Sequence, residues 1–249
     1  VNKVIAIYKN RTETPLQALA RVRGWGGGEY TDATLSYAGR LDPMAEGVML
    51  VLVGEENKNR EKYLGLDKTY VTEILFGFST DTADILGKIS ASQKSLKFVK
   101  SGEIEIELKK MLGKFAQKYP AYSSKSFAGS YEDVRDGKVS EILHDVEMYS
   151  AELLDVTEIS AKNVLKKVTE DISKVVGDFR QEEIIKIWQE NLKDEPHVFQ
   201  IAKMRLEVSS GFYVRQFAED LGEKVGLPAL AFSIVREQVG EWRIDSCLL

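Results

Sequence analysis

A chain of 249 residues, 43% hydrophobic and 29% charged, is long enough to bury a core of its own, and no apolar run of about 18 residues offers a membrane-spanning helix. Its net charge of −5 argues against a phosphate-binding protein only until the distribution is read: residues 131–200 hold 17 Asp+Glu against 9 Lys+Arg, whereas the remaining 179 hold 22 against 25. The single cysteine, Cys247, excludes an intramolecular disulfide and a cysteine-built zinc site; His144 and His197, far apart in polar surroundings, read as surface residues, so a cytoplasmic protein without a metal is expected.

The N-terminal VNKVIAIYKNRTETP has a five-residue apolar stretch, too short for a secretory leader, and residues 4–9 within it predict a strand of β-branched and aromatic residues. TETPLQALARVRGW predicts a helix capped by Thr14 with Pro15 at its first position, where the missing N–H costs nothing. Its apolar stripe is read as Leu16, Leu19, Ala20 and Val22 or Arg23. Glycines 26–28 end it as a flexible turn; with no Gly-Lys-Ser/Thr behind them they do not make a phosphate cradle. Residues 35–53 read as a loop followed by an apolar strand, 58–64 as a polar helix, 69–78 as an alternating strand and 77–87 as a polar loop. Residues 103–110 predict a helix or a strand–helix junction, 119–129 a loop, and 146–159 a strand pair or one long strand. From about 160 to 193 the apolar spacing turns helical, through Val164, Val168, Ile172, Ile184 and Trp188 among others, which predicts a helical hairpin or two helices broken near Gly177. A strand at 199–209 and an amphipathic helix in GFYVRQFAEDLGEKVGL follow. Several strands adjacent in sequence favour an α+β fold over a repeated βαβ pattern.

One segment stands out chemically, YAGRLDPMAEGVMLVLVGEENK (37–58). Pro43 biases Asp42 away from helix, Gly39 permits a tight approach upstream, and the apolar run behind makes a rigid mount for a reactive group. Taken alone, an aspartate in such a loop is as a rule a turn residue.

The words around it point further. GRLDP-x-x-x-G-V resembles the G-T-L-D-P-x-A-x-G-V motif of TruB-type pseudouridine synthases. LDKTYVTEILFGFSTDTAD (66–84) resembles that family's D-K-x-Y…T-D-T-x-D stretch, PAYSSKSFAG (120–129) its P-x-Y-S-A-x-K loop, and SSGFYVRQFAEDLGEKVG (209–226) its S-x-G-T-Y-I-R…D-L-G stretch. VREQVGEW (235–242) is similar to its closing strand. The blocks stand in the family's order and cover most of the chain outside roughly 160–195.

The resemblance implies a pseudouridine synthase fold: α+β, with a mixed, largely antiparallel central sheet, flanking helices and an RNA cleft across it. Residues 1–249 would form a single catalytic domain carrying a helical, acidic insertion at about 160–195. The chain ends soon after the closing strand, so a C-terminal PUA-type RNA-binding domain is expected to be absent. Asp42 is implied as the catalytic carboxylate that attacks a flipped uridine, at the anomeric carbon or at the base ring, with no cofactor. Tyr70 matches the tyrosine that stacks on the target base, and Arg215 the arginine that pairs with the carboxylate, a partner whose planar fork suits a bidentate grip. Asp84 and Lys125 match polar positions near the substrate.

Departures fall around the substrate. Ser36-Tyr37-Ala38-Gly39-Arg40 stands where the family has G-H-T-G-T, so Tyr37 would stack against RNA in place of the histidine, with Arg40 beside it. The N-terminal K-P-x-G-x-x-S motif is reduced to Lys9-Asn10-Arg11-Thr12, and Gly-Thr has become Gly211-Phe212. The expected partner is RNA, the T-arm of tRNA with its TΨC-loop uridine as target, bound by a monomer. The alternatives are another RNA substrate, or a non-catalytic RNA chaperone or assembly factor on the same fold; intact Asp42, Tyr70 and Arg215 favour the enzyme. The acidic insertion reads as a solvated buttress with one apolar face; the alternative is a partner-docking element or a clamp over the RNA, and its acidity argues against direct phosphate contact.

Overall fold

The computed structural model describes residues 3–93, 98–120, 122, 142–193 and 196–248. In chain order these form β1 (Lys3–Lys9), α1 (Pro15–Arg23), β2 (Leu35–Ala38), β3 (Ala45–Val53), α2 (Arg60–Leu64), β4 (Lys68–Phe76), β5 (Phe78–Thr80) and β6 (Ile89–Ser92). There follow α3 (Ser101–Lys110), β7 (Gly113–Lys118), β8 (Leu143–Ser160), α4 (Ala161–Lys174), α5 (Gln181–Leu192), β9 (Val198–Val208), α6 (Val214–Val225), β10 (Ala229–Val239) and β11 (Trp242–Arg243).

The strands assemble one mixed sheet in the order β1-β3-β10-β4-β9-β8-β7, with β2 also on β3 and β11 on β10; β5 and β6 make a separate hairpin. Every pairing is antiparallel except β3 with β10, which run parallel. The fold is therefore α+β on a largely antiparallel sheet. Beyond Glu46, β3 is apolar because both faces are covered. Met49, Val51 and Val53 face the main core with α1 and α6, while Val48, Leu50 and Leu52 face a smaller cluster with Tyr63 and Val239. One edge of β3 is shared: Ala45–Gly47 pairs with Ile234–Arg236 of β10, and Leu50–Val53 pairs with Leu35–Ala38 of β2. The 39–44 loop, with Asp42 in it, lies where that edge changes partner.

Gly47 is needed at this junction. Its φ is +107°, and a Cβ there would lie 2.3 Å from the Arg236 carbonyl oxygen, far inside any tolerable contact. Hence the glycine of the Asp-Pro segment answers to the approach of β10, not to the chemistry of Asp42.

Several expectations need correcting. The buried stripe of α1 is Pro15, Ala18, Leu19 and Val22; Leu16 is 70% exposed and Ala20 also faces solvent. Proline at the first helical position is itself the first core contact, which shifts the stripe by one residue. Residues 35–38, read as loop, form β2 because β3 offers them a free edge. The polar stretch 77–87 contains β5 and the start of a hairpin that buries Phe78, Ile85 and Leu86. β7, with an exposed-buried pattern too weak to stand out, was not anticipated. Residues 143–160 form one long strand with irregularities after Met148 and Leu153.

α4 and α5 pack through a second core on the sheet. Val164, Val168, Ile172, Ile184 and Trp188 meet Phe78, Phe199, Leu230 and Phe232. The ring centroids of Phe78 lie 5.3 Å from Trp188 and 4.8 Å from Phe199. No helix among the described residues is long and apolar enough to cross a membrane.

Candidate active site

Asp42 sits on the short loop between β2 and β3, and two buried basic side chains clamp that loop. Lys9, at the end of β1, donates from Nζ to the carbonyls of Asn10 (3.0 Å), Pro43 (3.5 Å) and Ala45 (2.6 Å). Burial pushes its ammonium down to about 7, against the pull of Glu13 and Asp42. Arg236, on β10, donates from Nε to Val48 O (2.7 Å) and from Nη2 to Gly39 O (2.8 Å), closing the gap where β2 and β10 diverge. The Asp42 carbonyl accepts from Ala45 N (3.0 Å), and the Pro43 carbonyl from Thr12 N (2.7 Å). A loop with so many of its carbonyls held has little freedom to move.

The Asp42 side chain is met by Arg215 on the first turn of α6. Arg215 Nε donates to Asp42 Oδ2 at 2.8 Å. The two side chains differ in exposure, 5% for Arg215 against 28% for Asp42, so the arginine is buried behind a carboxylate that reaches the surface. The grip is not bidentate. Arg215 Nη1 donates instead to Thr82 O (2.6 Å) and Nη2 to Tyr122 O (3.0 Å). The guanidinium is thereby locked on three sides, and Asp42 is oriented through one oxygen only. Burial disfavours the guanidinium charge, but Asp42 and Asp84 outweigh it and raise the Arg215 pKa.

Asp84 is the other carboxylate of this cluster. Its Oδ2 lies 4.0 Å from Arg215 Nε, and its Oδ1 accepts from the Thr82 hydroxyl (2.7 Å) and from Leu86 N (2.9 Å). Burial raises its pKa, opposed by Arg215. Asp84 thus stands behind the arginine. Arg40 approaches Asp42 from the solvent side, Nε to Oδ1 at 3.9 Å.

Two hollows meet at Asp42. One, of about 210 Å³, is lined by Arg40, Asp42, Lys68, Tyr70, Gly211–Arg215 and Arg236. The other, of about 440 Å³, is lined by Arg40, Asp42, Pro43, Thr82, Asp84, Leu86, Tyr122, Arg215 and the loop residues Asp178, Phe179 and Arg180. Asp42, Tyr70, Arg215 and Arg40 therefore surround the first hollow, and Asp84 borders the second. Tyr37 lies elsewhere: on β2 opposite Val51, half-buried against the main core, and it lines neither hollow. Lys125 lies outside the described residues.

Reading the sequence missed the two clamps. Lys9 and Arg236 each occupy an inward position in an apolar strand, which is the signal that would have found them. His144 also needs correcting. It is half-buried, stacked on Tyr119 with centroids 4.0 Å apart, and its Nε2 donates to Gly211 O at 3.0 Å. It therefore backs the 211–213 segment that lines the first hollow. Among the described residues no group of three or more His, Cys, Asp or Glu is placed to hold a metal ion.

Known proteins resemble this chain over most of its length. A profile of TruB family pseudouridylate synthases (N-terminal domain) matches residues 30–172. The tRNA pseudouridine synthase B of Ureaplasma urealyticum serovar 10 is 30% identical over 217 residues, 86% of this chain and 77% of that protein. The tRNA pseudouridine synthase B of Thermotoga maritima is 27% identical over 247 residues, 98% of this chain and 65% of that protein. Among solved structures, a chain of a Cbf5–Nop10–Gar1 complex shares the fold with a TM-score of 0.58 at 16% identity, over 96% of this chain and 49% of that one. This chain thus spans about half the length of that structural neighbour and about two thirds of the Thermotoga relative. With a profile covering more than half of its residues, the chain belongs to the TruB family of pseudouridylate synthases.

Proposed function

We propose that this protein isomerises a uridine of tRNA, the TΨC-loop uridine of the T-arm, to pseudouridine, with Asp42 as the attacking carboxylate. The observation that carries the reading is the placement of that carboxylate. One oxygen is fixed by a buried arginine, while the side chain remains partly exposed at the floor of a hollow that also holds Tyr70. A fixed, accessible nucleophile beside an aromatic platform suits chemistry on a base taken out of its stack.

In this reading the flipped uracil enters the smaller hollow and lies against the Tyr70 ring. Asp42 attacks the anomeric carbon or the base ring, and the glycosidic carbon–nitrogen bond breaks. The uracil turns, its C5 forms a carbon–carbon bond to the sugar as the carboxylate is released, the C5 proton leaves and N1 takes up a proton. The product is an isomer of the substrate, so the balance needs no co-reactant. Arg40, half-exposed beside Asp42, would take a phosphate of the RNA in this reading. The same reading takes residues 1–249 as one catalytic domain with the α4–α5 hairpin as an insertion, acting as a monomer in the cytoplasm. Another RNA as substrate is the second reading, favoured by Tyr37, which stands in the family histidine's place yet lies outside both hollows.

The test is release of tritium from C5 of uridine in an unmodified tRNA transcript. Wild type is expected to release it, and Asp42→Asn to fall by roughly a thousandfold or more while RNA binding changes little. Near-wild-type turnover by Asp42→Asn would sink the assignment. Release only from a bulk RNA pool, and not from tRNA, would favour the second reading.

A further inference from the structure

The turn between β5 and β6 supplies both groups that hold Arg215 from behind, the Thr82 carbonyl and the Asp84 carboxylate. It is a strained, crowded turn. Ala83 has φ +58°, a conformation disfavoured for any residue with a side chain, and a Cβ on Gly87 would meet Thr82 Oγ1 at 2.4 Å. Such a turn needs support from outside, and three groups of the helical hairpin end on it. Arg180 forks onto Asp81, Nη1 to Oδ2 at 2.6 Å and Nη2 to Oδ1 at 3.4 Å. Trp188 Nε1 donates to Gly87 O at 3.3 Å, and Glu183 pairs with Lys88 at 2.6 Å.

Arg180 does more than the other two. Its guanidinium also lies over the Tyr122 ring, 5.0 Å from the centroid. Tyr122 O and Thr82 O are the two acceptors of the terminal nitrogens of Arg215. One side chain therefore braces both anchors of the arginine that orients Asp42. Arg180 is itself held in place: its φ is +62°, and its backbone N–H donates to Asp178 Oδ1 at 3.3 Å.

We propose that Arg180 is a positioning residue for the Asp42–Arg215 pair, acting through Asp81–Thr82 on one side and Tyr122 on the other. The helical hairpin is then a splint for the catalytic arginine rather than a peripheral buttress. The inference rests on Asp42 being the attacking carboxylate, but its geometric part is testable without turnover.

The experiment compares wild type, Arg180→Gln, Arg180→Lys and Asp81→Asn in two measurements. One follows the Arg215 Nε–H resonance by NMR, identified by its loss in Arg215→Lys. The other follows tritium release from tRNA, with Asp42→Asn as the blank. Arg180→Gln and Asp81→Asn are expected to shift or broaden the resonance and to lower kcat by roughly tenfold to a hundredfold, with KM within about twofold. Arg180→Lys, which keeps the charge but not the fork, should recover part of both. All should melt cooperatively; Asp81→Asn leaves the hairpin's Trp188 and Glu183 anchors untouched if Arg180→Gln proves unstable. An unmoved resonance in folded Arg180→Gln and Asp81→Asn overturns the proposal, as does a loss of rate that follows only the loss of fold. If wild type releases no tritium, the catalytic reading fails while the resonance still decides whether Arg180 positions Arg215.

Discussion

The Asp42 loop and the helical hairpin approach the same site from opposite sides and are held there by different forces. Around Asp42 the restraints are polar and buried: Lys9 and Arg236 each reach main-chain carbonyls from within the sheet, and Arg215 spends two of its nitrogens the same way. The hairpin is seated mainly by apolar packing around Trp188 and Phe78, to which a few ion pairs are added, the largely buried Arg11–Asp171 (2.7 Å) and Arg180 with Asp81. The contrast fits the roles proposed for each. A reactive carboxylate has to be fixed in direction, which only directional hydrogen bonds achieve; a splint has to be fixed in place, for which non-directional burial is enough.

The comparison can be broken most severely on the hairpin's side. Trp188→Ala empties the centre of the second core and should lower the unfolding free energy by about 3–5 kcal/mol in urea titrations. A loss below about 1 kcal/mol would mean that the hairpin is not seated by this core. Next comes Gly47→Ala, which drives a methyl group into the Arg236 carbonyl at a positive φ. It should cost about 2–4 kcal/mol and disturb the Asp42 loop with it. A well-folded, active Gly47→Ala would show that β3 and β10 can separate without consequence.

A third effect is one of pH. Burial brings Lys9 down to about 7 from an ordinary value of 10.5, so between those values the unfolded chain holds a proton that the native one lacks. Stability contributed by this residue therefore rises with pH across that window, by at most about 1.4 kcal/mol per pH unit, and is flat below it, where both states are protonated. Unfolding curves of wild type and Lys9→Met between pH 6 and 10 should diverge upward in favour of wild type. Parallel curves would mean that the three carbonyls keep Lys9 charged throughout.

How far the site was legible differs residue by residue. Leu-Asp-Pro marked Asp42 because proline restrains its neighbour, and Thr14-Pro15 marked the start of α1 through capping chemistry that is local. Tyr37 was read towards the RNA from its place in a motif, but β2 takes the free edge of β3 and turns the ring against the core. His144 looked like a surface residue because its partners, Tyr119 and Gly211, are distant in sequence. Arg180 carried no signal at all, since its role depends on Asp81, 99 positions away.

By itself, then, the order of residues determined what short-range physics controls: the longer strands and the helical hairpin, the cap of α1, the break at Gly177 and the restrained loop of Asp42. Tertiary structure decided which strand takes each edge of β3, which lysine and arginines turn inward to hold the loop, and that the helical hairpin reaches the back of Arg215. Those outcomes depend on contacts between segments far apart in the chain, and a buried cation is tolerable only once its distant carbonyl and carboxylate partners have been brought to it.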